Sequence, residues 1–238
     1  MDQLLIALDV ERGTQALALA DALRGCAGGF KIGSRLFTTE GPGIVRALTS
    51  RGERVFLDLK FHDIPNTVAQ AVAAATSLGV WMLNVHAAGG SRMMRAAREA
   101  AHETAAREGR TPPLVVAVTV LTSMDAQSLQ ASGVGHSVLD QVLRLAELTQ
   151  SAGLDGVVAS PLETALLRRQ CGEGFTIVAP GIRGGSATKS DSDDQERTLT
   201  AAEALAAGAS HIVVGRPIIG AADPRQAADA IAREAVGK

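Results

Sequence analysis

Aromatic residues are scarce in this chain, 3% of 238 residues, and tyrosine is absent altogether. A surface that stacks unpaired bases needs aromatic planes, so a platform for single-stranded nucleic acid is excluded. Charge of one sign is also lacking: 23 Lys and Arg against 25 Asp and Glu give a formal net charge of −2. Such a balance offers no broad electrostatic footprint for DNA, RNA or an anionic membrane, and the basic residues that matter must act locally on a small anion. Cysteine is limited to Cys26 and Cys171, far apart and without a CxxC pair or a nearby His. They read as reduced thiols of a cytoplasmic protein, with no zinc set. Long apolar runs are missing as well. LVVAVTVL at Leu114–Leu121 is too short to cross a bilayer, and Asp2 and Asp9 break any signal-peptide pattern in MDQLLIALDV.

What is present is a hydrophobic content of 46%, carried by Ala, Val, Leu and Ile, beside 20% charged residues. That composition is globular, and a chain of this length can bury roughly three-quarters of its unfolded surface in one core. Short apolar runs alternate with Ala-rich stretches of helical period from end to end. The expected strands are Leu4–Asp9, Phe30–Ser34, Val55–Lys60, Met82–Ala87, Leu114–Val120, Gly156–Ser160, Phe175–Pro180 and His211–Arg216. Between them, Ser137–Gly153 shows an apolar stripe at Val138, Leu139, Val142, Leu145, Ala146 and Leu148. Gly52, Gly79, Gly153 and Gly208 each stand where a helix gives way to the next strand, the usual place for a left-handed helix end.

Near-continuous apolar strands joined by helices imply parallel strands covered on the outside. Eight such units predict an α/β fold, a (β/α)8 TIM barrel forming a single domain over residues 1–238, with a doubly wound sheet as the competing architecture. The polar, Gly/Ser-rich stretch Gly181–Arg197 follows the seventh strand, and a loop of that length in a compact barrel is expected to be functional, a lid near 182–196 on the phosphate side.

Barrel enzymes work at the C-terminal ends of their strands. On strand three, Asp58 and Lys60 are two apart and share a face, with Leu57 and Leu59 on the other. The charged pair then points into the barrel mouth. Lys31 on the neighbouring strand adds a second ammonium, an alternating Lys–Asp–Lys arrangement suited to chemistry. The plain alternative is an ion pair that only plugs the barrel. Asp63, just before Pro65 and a helical stretch, fits a helix cap as well as it fits catalysis. The loops after strands seven and eight supply Arg183, Gln195, Gly215 and Arg216, a combination suited to phosphate, although VVGRP also reads as a strand end with a surface Arg. His102, His136 and His211 lack partners at metal-ligand spacing and read as surface or helix-end residues; no metal site is expected.

Together these residues resemble the orotidine 5'-phosphate decarboxylase family. The most specific motif is DLKFHDIPNT (Asp58–Thr67). FKIGSRLFTTEGP (Phe30–Pro42), NVHAAGG (Asn84–Gly90), LTS (Leu121–Ser123), PGIR (Pro180–Arg183), DQ-x-R (Asp194–Arg197) and the flanking ALD (Ala7–Asp9) and VGRPI (Val214–Ile218) agree in order. The resemblance implies a cofactor-free enzyme that converts orotidine 5'-phosphate to uridine 5'-phosphate in pyrimidine biosynthesis. It implies Lys60 as proton donor and Lys31, Asp58 and Asp63 as the rest of a charged tetrad. It further implies a homodimer, with Asp63 and Thr67 reaching into the partner's site. Asp9 is then the ribose ligand, Thr122 and Ser123 contact the pyrimidine, Pro180 is a further substrate-binding residue, and Arg183, Gln195, Gly215 and Arg216 form the phosphate group. The stretch from Arg183 to Gln195 is a few residues longer than is usual in the family, with Gly184 and Gly185 where Pro is common. Two rivals remain: a magnesium-dependent keto-sugar-phosphate decarboxylase or synthase that shares D-x-K-x-x-D, and a non-catalytic barrel that binds nucleotides.

Overall fold

The computed structural model describes residues 2–183 and 199–235. Among the described residues ten strands run in chain order as β1 (Leu4–Ala7), β2 (Gly29–Gly33), β3 (Val55–Phe61), β4 (Met82–His86), β5 (Leu114–Val118), β6 (Gly156–Val158), β7 (Thr176–Ala179), β8 (Ile182–Arg183), β9 (Leu199–Thr200) and β10 (His211–Val214). Eight of them close a barrel in the order β1-β10-β7-β6-β5-β4-β3-β2, every pairing parallel, with helices between successive strands. The (β/α)8 expectation holds and the open doubly wound sheet is ruled out.

Every strand expected from the sequence forms, but most stop short of the expected C-terminal end. The reason is local: a backbone that must turn into a loop leaves the ladder, as at Pro180, which has no N–H to donate, and at Gly181, whose φ of 78° is left-handed. Asp9, Pro180, Gly215 and Arg216, all marked for chemistry by the sequence, are among the residues shed from the strand ends. The predicted helix runs Val138–Ser151, with Ser137 accepting the Asp140 N–H as its cap. Its buried face is Val142, Leu145, Ala146 and Thr149, whereas Leu139 is exposed. Gly52, Gly79, Gly153 and Gly208 all adopt positive φ.

Alternation along the strands builds two apolar layers. Outward residues such as Phe30, Ile32, Leu57, Leu83 and Val85 pack under the helices. Inward residues Leu5, Ala7, Phe56, Met82, Val116, Val118, Val158, Val178 and Val213 fill the lumen. The N-terminal end of the lumen carries a ring contact: Trp81 lies edge-on to His211 at 5.1 Å, and the Arg54 guanidinium sits 3.9 Å from the Trp81 ring centroid. His211 is therefore the first residue of β10 in a packed contact, not the surface residue its sequence neighbours suggested. Apolar side chains thus fill the lumen, and polar chemistry is left to the C-terminal ends of the strands above them.

The far end of the barrel is clasped by Arg168. Its guanidinium donates to the carbonyls of Gly172, Glu173, Phe175 and Gly208 and to Ser210 Oγ, tying the turn before β7 to the turn before β10. Only a planar fork reaches so many acceptors at once. Arg168→Ala is expected to cost about 3 kcal/mol and lower Tm by roughly 6–12 °C, with Arg168→Lys recovering less than half. Thermal melts that leave Arg168→Ala within about a degree of wild type would show the clasp to be idle.

Candidate active site

Three strands present charged or polar groups just above the apolar lumen. On β2, Lys31 follows the inward register and is 8% exposed. On β3, Asp58 and Lys60 point the same way, while Leu57 is fully buried in the outer layer and Leu59 packs against it. On β4, Asn84 is fully buried between Met82 and His86 on the same face.

The charges form a chain. Lys31 Nζ lies 3.0 Å from Asp9 Oδ1 and 3.4 Å from Asp58 Oδ2. The other Asp58 oxygen receives Lys60 Nζ at 2.6 Å and Asn84 Nδ2 at 2.7 Å. Burial by itself would raise the Asp58 carboxyl, but Lys31, then Lys60 and Asn84, outweigh it and hold it below the usual carboxylate value. Asp58 is thus an enclosed anion with two cations on opposite oxygens, an arrangement costly to desolvate unless every lone pair is used.

The backbone at this point is irregular. β3 pairs with β4 at Leu57↔Leu83 and next at Phe61↔Val85, so Asp58, Leu59 and Lys60 together oppose Asn84. Within this bulge Lys60 takes φ 52°, alone in positive φ among the described non-glycine residues. Such a conformation is strained by about 1–3 kcal/mol and persists only where its surroundings enforce it.

Two glycines make room. A Cβ on Gly33, two residues beyond Lys31, would stand 3.0 Å from Lys31 Nζ and 3.3 Å from Asp9 Oδ1. A Cβ on Gly215 would approach Ala7 Cβ at 3.4 Å and Asp9 Oδ2 at 3.6 Å. The exit of β10 therefore closes directly on Asp9, and Arg216 heads the short helix Arg216–Ile219 that follows, exposed at the mouth.

Other expected residues take varied positions. Thr122 and Ser123 lie in the turn after β5, half-buried and exposed respectively, and Pro180 is half-buried at the end of β7. Arg183 belongs to β8, which pairs with β9 in a short parallel sheet of its own. Gln195 and most of the expected lid fall outside the described residues. Asp63 stands apart from the chain of charges: it is exposed, and its carboxylate accepts the Ile64 N–H at 2.6 Å. It is not the helix cap either, because the following helix, Pro65–Thr76, has Ile64 at its N-cap and no side-chain cap. Thr67, on the first turn of that helix, is exposed. Neither Asn84 nor Gly33 was singled out from the sequence, although both lie within quoted motifs.

The sequence model described as the orotidine 5'-phosphate decarboxylase / HUMPS family matches residues 2–231. The chain belongs to this family. It is 52% identical over 234 residues to the orotidine 5'-phosphate decarboxylase of Moorella thermoacetica, covering 98% of this chain and 92% of that protein. The enzyme of the same name from Sodalis glossinidius is 51% identical over 230 residues, covering 97% and 88%. Among solved structures, orotidine 5'-phosphate decarboxylase from Lactobacillus acidophilus superposes with a TM-score of 0.86 at 36% identity, covering 98% of each chain. An uncharacterized conserved protein from Geobacillus kaustophilus gives 0.84 at 36% identity, covering 98% of this chain and 99% of that one. The family resemblance read from the motifs is correct across the whole barrel.

One titratable pair borders the family's charged motif. His62 and His86 stack at 5.4 Å between ring centroids. Burial, then the neighbouring His62 and Lys60, lowers His86 below its ordinary value of 6.5. Above that value folded and unfolded forms are both neutral at this site. Below it the unfolded chain takes up a proton that the fold resists, so stability falls as the solution is acidified. Tm is expected to decline between about pH 7 and about pH 5, and His86→Gln to make that decline shallower. Parallel profiles for the two proteins would contradict the assignment.

Proposed function

We propose that this barrel decarboxylates orotidine 5'-phosphate to uridine 5'-phosphate, the reaction for which its relatives are named, and that Lys60 is its proton donor. The observation that carries this reading is the Asp9–Lys31–Asp58–Lys60 chain set above the apolar lumen at the C-terminal ends of the strands. An ion pair that merely plugged the barrel would not require a second lysine on the same carboxylate or a strained backbone beneath the first.

The chemistry explains why such a chain is useful. When the C6–carboxylate bond breaks, carbon dioxide leaves and the electron pair stays on C6 in an in-plane orbital that the ring π-system cannot delocalise. A cation beside C6 stabilises that charge, and transfer of a proton from the Lys60 ammonium to C6 completes the product. The neutral amine then recovers a proton from solvent. One group fills both roles, so the step needs no electron-sink cofactor and no metal. A single contact of this kind is worth about 4 kcal/mol at an effective dielectric of about 20, whereas enzymes lower barriers by roughly 8–23 kcal/mol. The balance must come from binding the rest of the nucleotide: Asp9 at the ribose, Thr122 and Ser123 at the pyrimidine, Arg183, Gln195, Gly215 and Arg216 at the phosphate, with Pro180 as a further substrate contact.

The same reading places Asp63 and Thr67 in the site of a second copy. Support comes from their exposure on one segment together with Ile64, which is 66% exposed. An outward apolar side chain flanked by these two polar ones suits a homodimer face. The two buried cysteines, neither in a disulfide, suit a cytoplasmic enzyme, and among the described residues no helix is long and apolar enough to cross a membrane.

Ultraviolet absorbance of orotidine 5'-phosphate tests the proposal. Wild type is expected to consume it, with turnover indifferent to EDTA, and Lys60→Ala to lose at least about 10⁴-fold in kcat/KM. Activity abolished by the chelator would favour the magnesium-dependent sister enzymes. A flat trace with wild type would favour a non-catalytic nucleotide-binding barrel.

A further inference from the structure

We propose that Asn84 is a positioning residue for this reaction, its single amide fixing the Lys60 ammonium and the Asp58 carboxylate in one relative geometry. The inference rests on Lys60 being the proton donor.

The bulge in β3 removes the Lys60 N–H from the ladder with β4. A backbone donor released inside a barrel needs a partner, and Asn84 Oδ1 accepts it at 2.8 Å. The other end of the same amide donates to Asp58 Oδ1 at 2.7 Å, and that oxygen also receives Lys60 Nζ at 2.6 Å. A closed ring of hydrogen bonds results: Lys60 backbone to Asn84, Asn84 to Asp58, and Asp58 back to the Lys60 side chain. Both ends of the lysine are therefore referred to one fully buried amide. The ring also accounts for φ 52° at a residue that is not glycine, because the accepted N–H is what holds the backbone in that turn.

The polarity of the site dictates the residue type. Position 84 must present an acceptor to an N–H and a donor to a carboxylate, and must be neutral. An amide does both in one orientation only, since rotation by half a turn sets donor against donor and oxygen against oxygen. A carboxylate could accept the N–H but would meet Asp58 as a second anion. Protonated, the same carboxyl has both functions again. Leucine, of similar size, has neither.

The substitution Asn84→Asp is thus a pH-dependent one, and wild type measured in parallel corrects for the groups facing this position: Asp58, Lys60 and, through Asp58, Lys31, together with His86 on the same strand and His62 stacked upon it. With full-length protein and orotidine 5'-phosphate, Asn84→Asp is expected to lower kcat about 100-fold at neutral pH, while affinity for uridine 5'-phosphate stays within about threefold. The ratio of its kcat to that of wild type should climb as pH falls and the introduced carboxyl gains a proton. Asn84→Leu should be as slow at every pH. If the leucine variant does not fold, judged by circular dichroism and thermal melting, the aspartate series decides alone. A pH-independent ratio, a kcat equal to wild type, or a loss confined to KM would overturn the positioning role. Inactive wild type would instead overturn the decarboxylase reading on which it stands.

Discussion

The enclosed carboxylate of Asp58 is the group around which the mouth of this barrel is organised. An isolated buried anion costs several kcal/mol, and here that cost is offset by three donors on two oxygens: Lys31, Lys60 and the Asn84 amide. Each donor constrains something else. Lys31 is drawn between Asp58 and Asp9, which fixes the exit of β1; Asn84 grips the Lys60 backbone; and Lys60 is left with its ammonium against one carboxylate oxygen, at the rim of the lumen. The apolar floor of Phe56, Met82 and Val116 beneath these groups removes competing water from below, so the electrostatic contacts are stronger than they would be on a surface.

Such an arrangement suits a reaction with no internal sink for its electrons. The proposed chemistry needs a cation placed before the bond breaks, not one that must be moved or recruited afterwards, and preorganisation of this kind is the largest contribution that proteins make to charge-developing steps. The bulge in β3 is the structural expression of the same need. It advances Lys60 out of the flat ladder at the expense of an unfavourable φ, and the strain is held in place by hydrogen bonds that also orient the Asp58 and Lys60 charges. Gly33 and Gly215 belong to this account because any side chain there would press on Lys31 or Asp9.

Much of this was legible in the sequence, for physical reasons that differ from residue to residue. Strands buried on both faces leave apolar runs between Ala-rich helical periods, so all eight barrel strands could be placed. The alternation Leu57, Asp58, Leu59, Lys60 gave the side-chain directions on β3 correctly, with both leucines in the outer layer. The bulge was not legible, because the residue that carries positive φ is a lysine and nothing in its type announces a left-handed turn. Asn84 was hidden for a related reason: one amide inside an apolar strand has no periodicity, and its two partners are brought to it only by register. The β8–β9 pair and the Arg168 clasp join segments distant in sequence through short contacts that leave no pattern. His211 lacked ligand partners in sequence but gained Trp81 and Arg54 across the barrel floor. Asp63 was weighed between a cap and a catalytic group, and the fold shows it to be neither a cap nor a member of its own chain's charge cluster.

The most direct test of the central claim is a crystal structure with uridine 5'-phosphate bound. The pyrimidine C6 is expected within about 3.5 Å of Lys60 Nζ, the separation at which a proton can pass without rearrangement. A nucleotide seated with C6 turned away from position 60, or beyond about 6 Å from its amine, would contradict the assignment of that lysine and the chemistry built upon it.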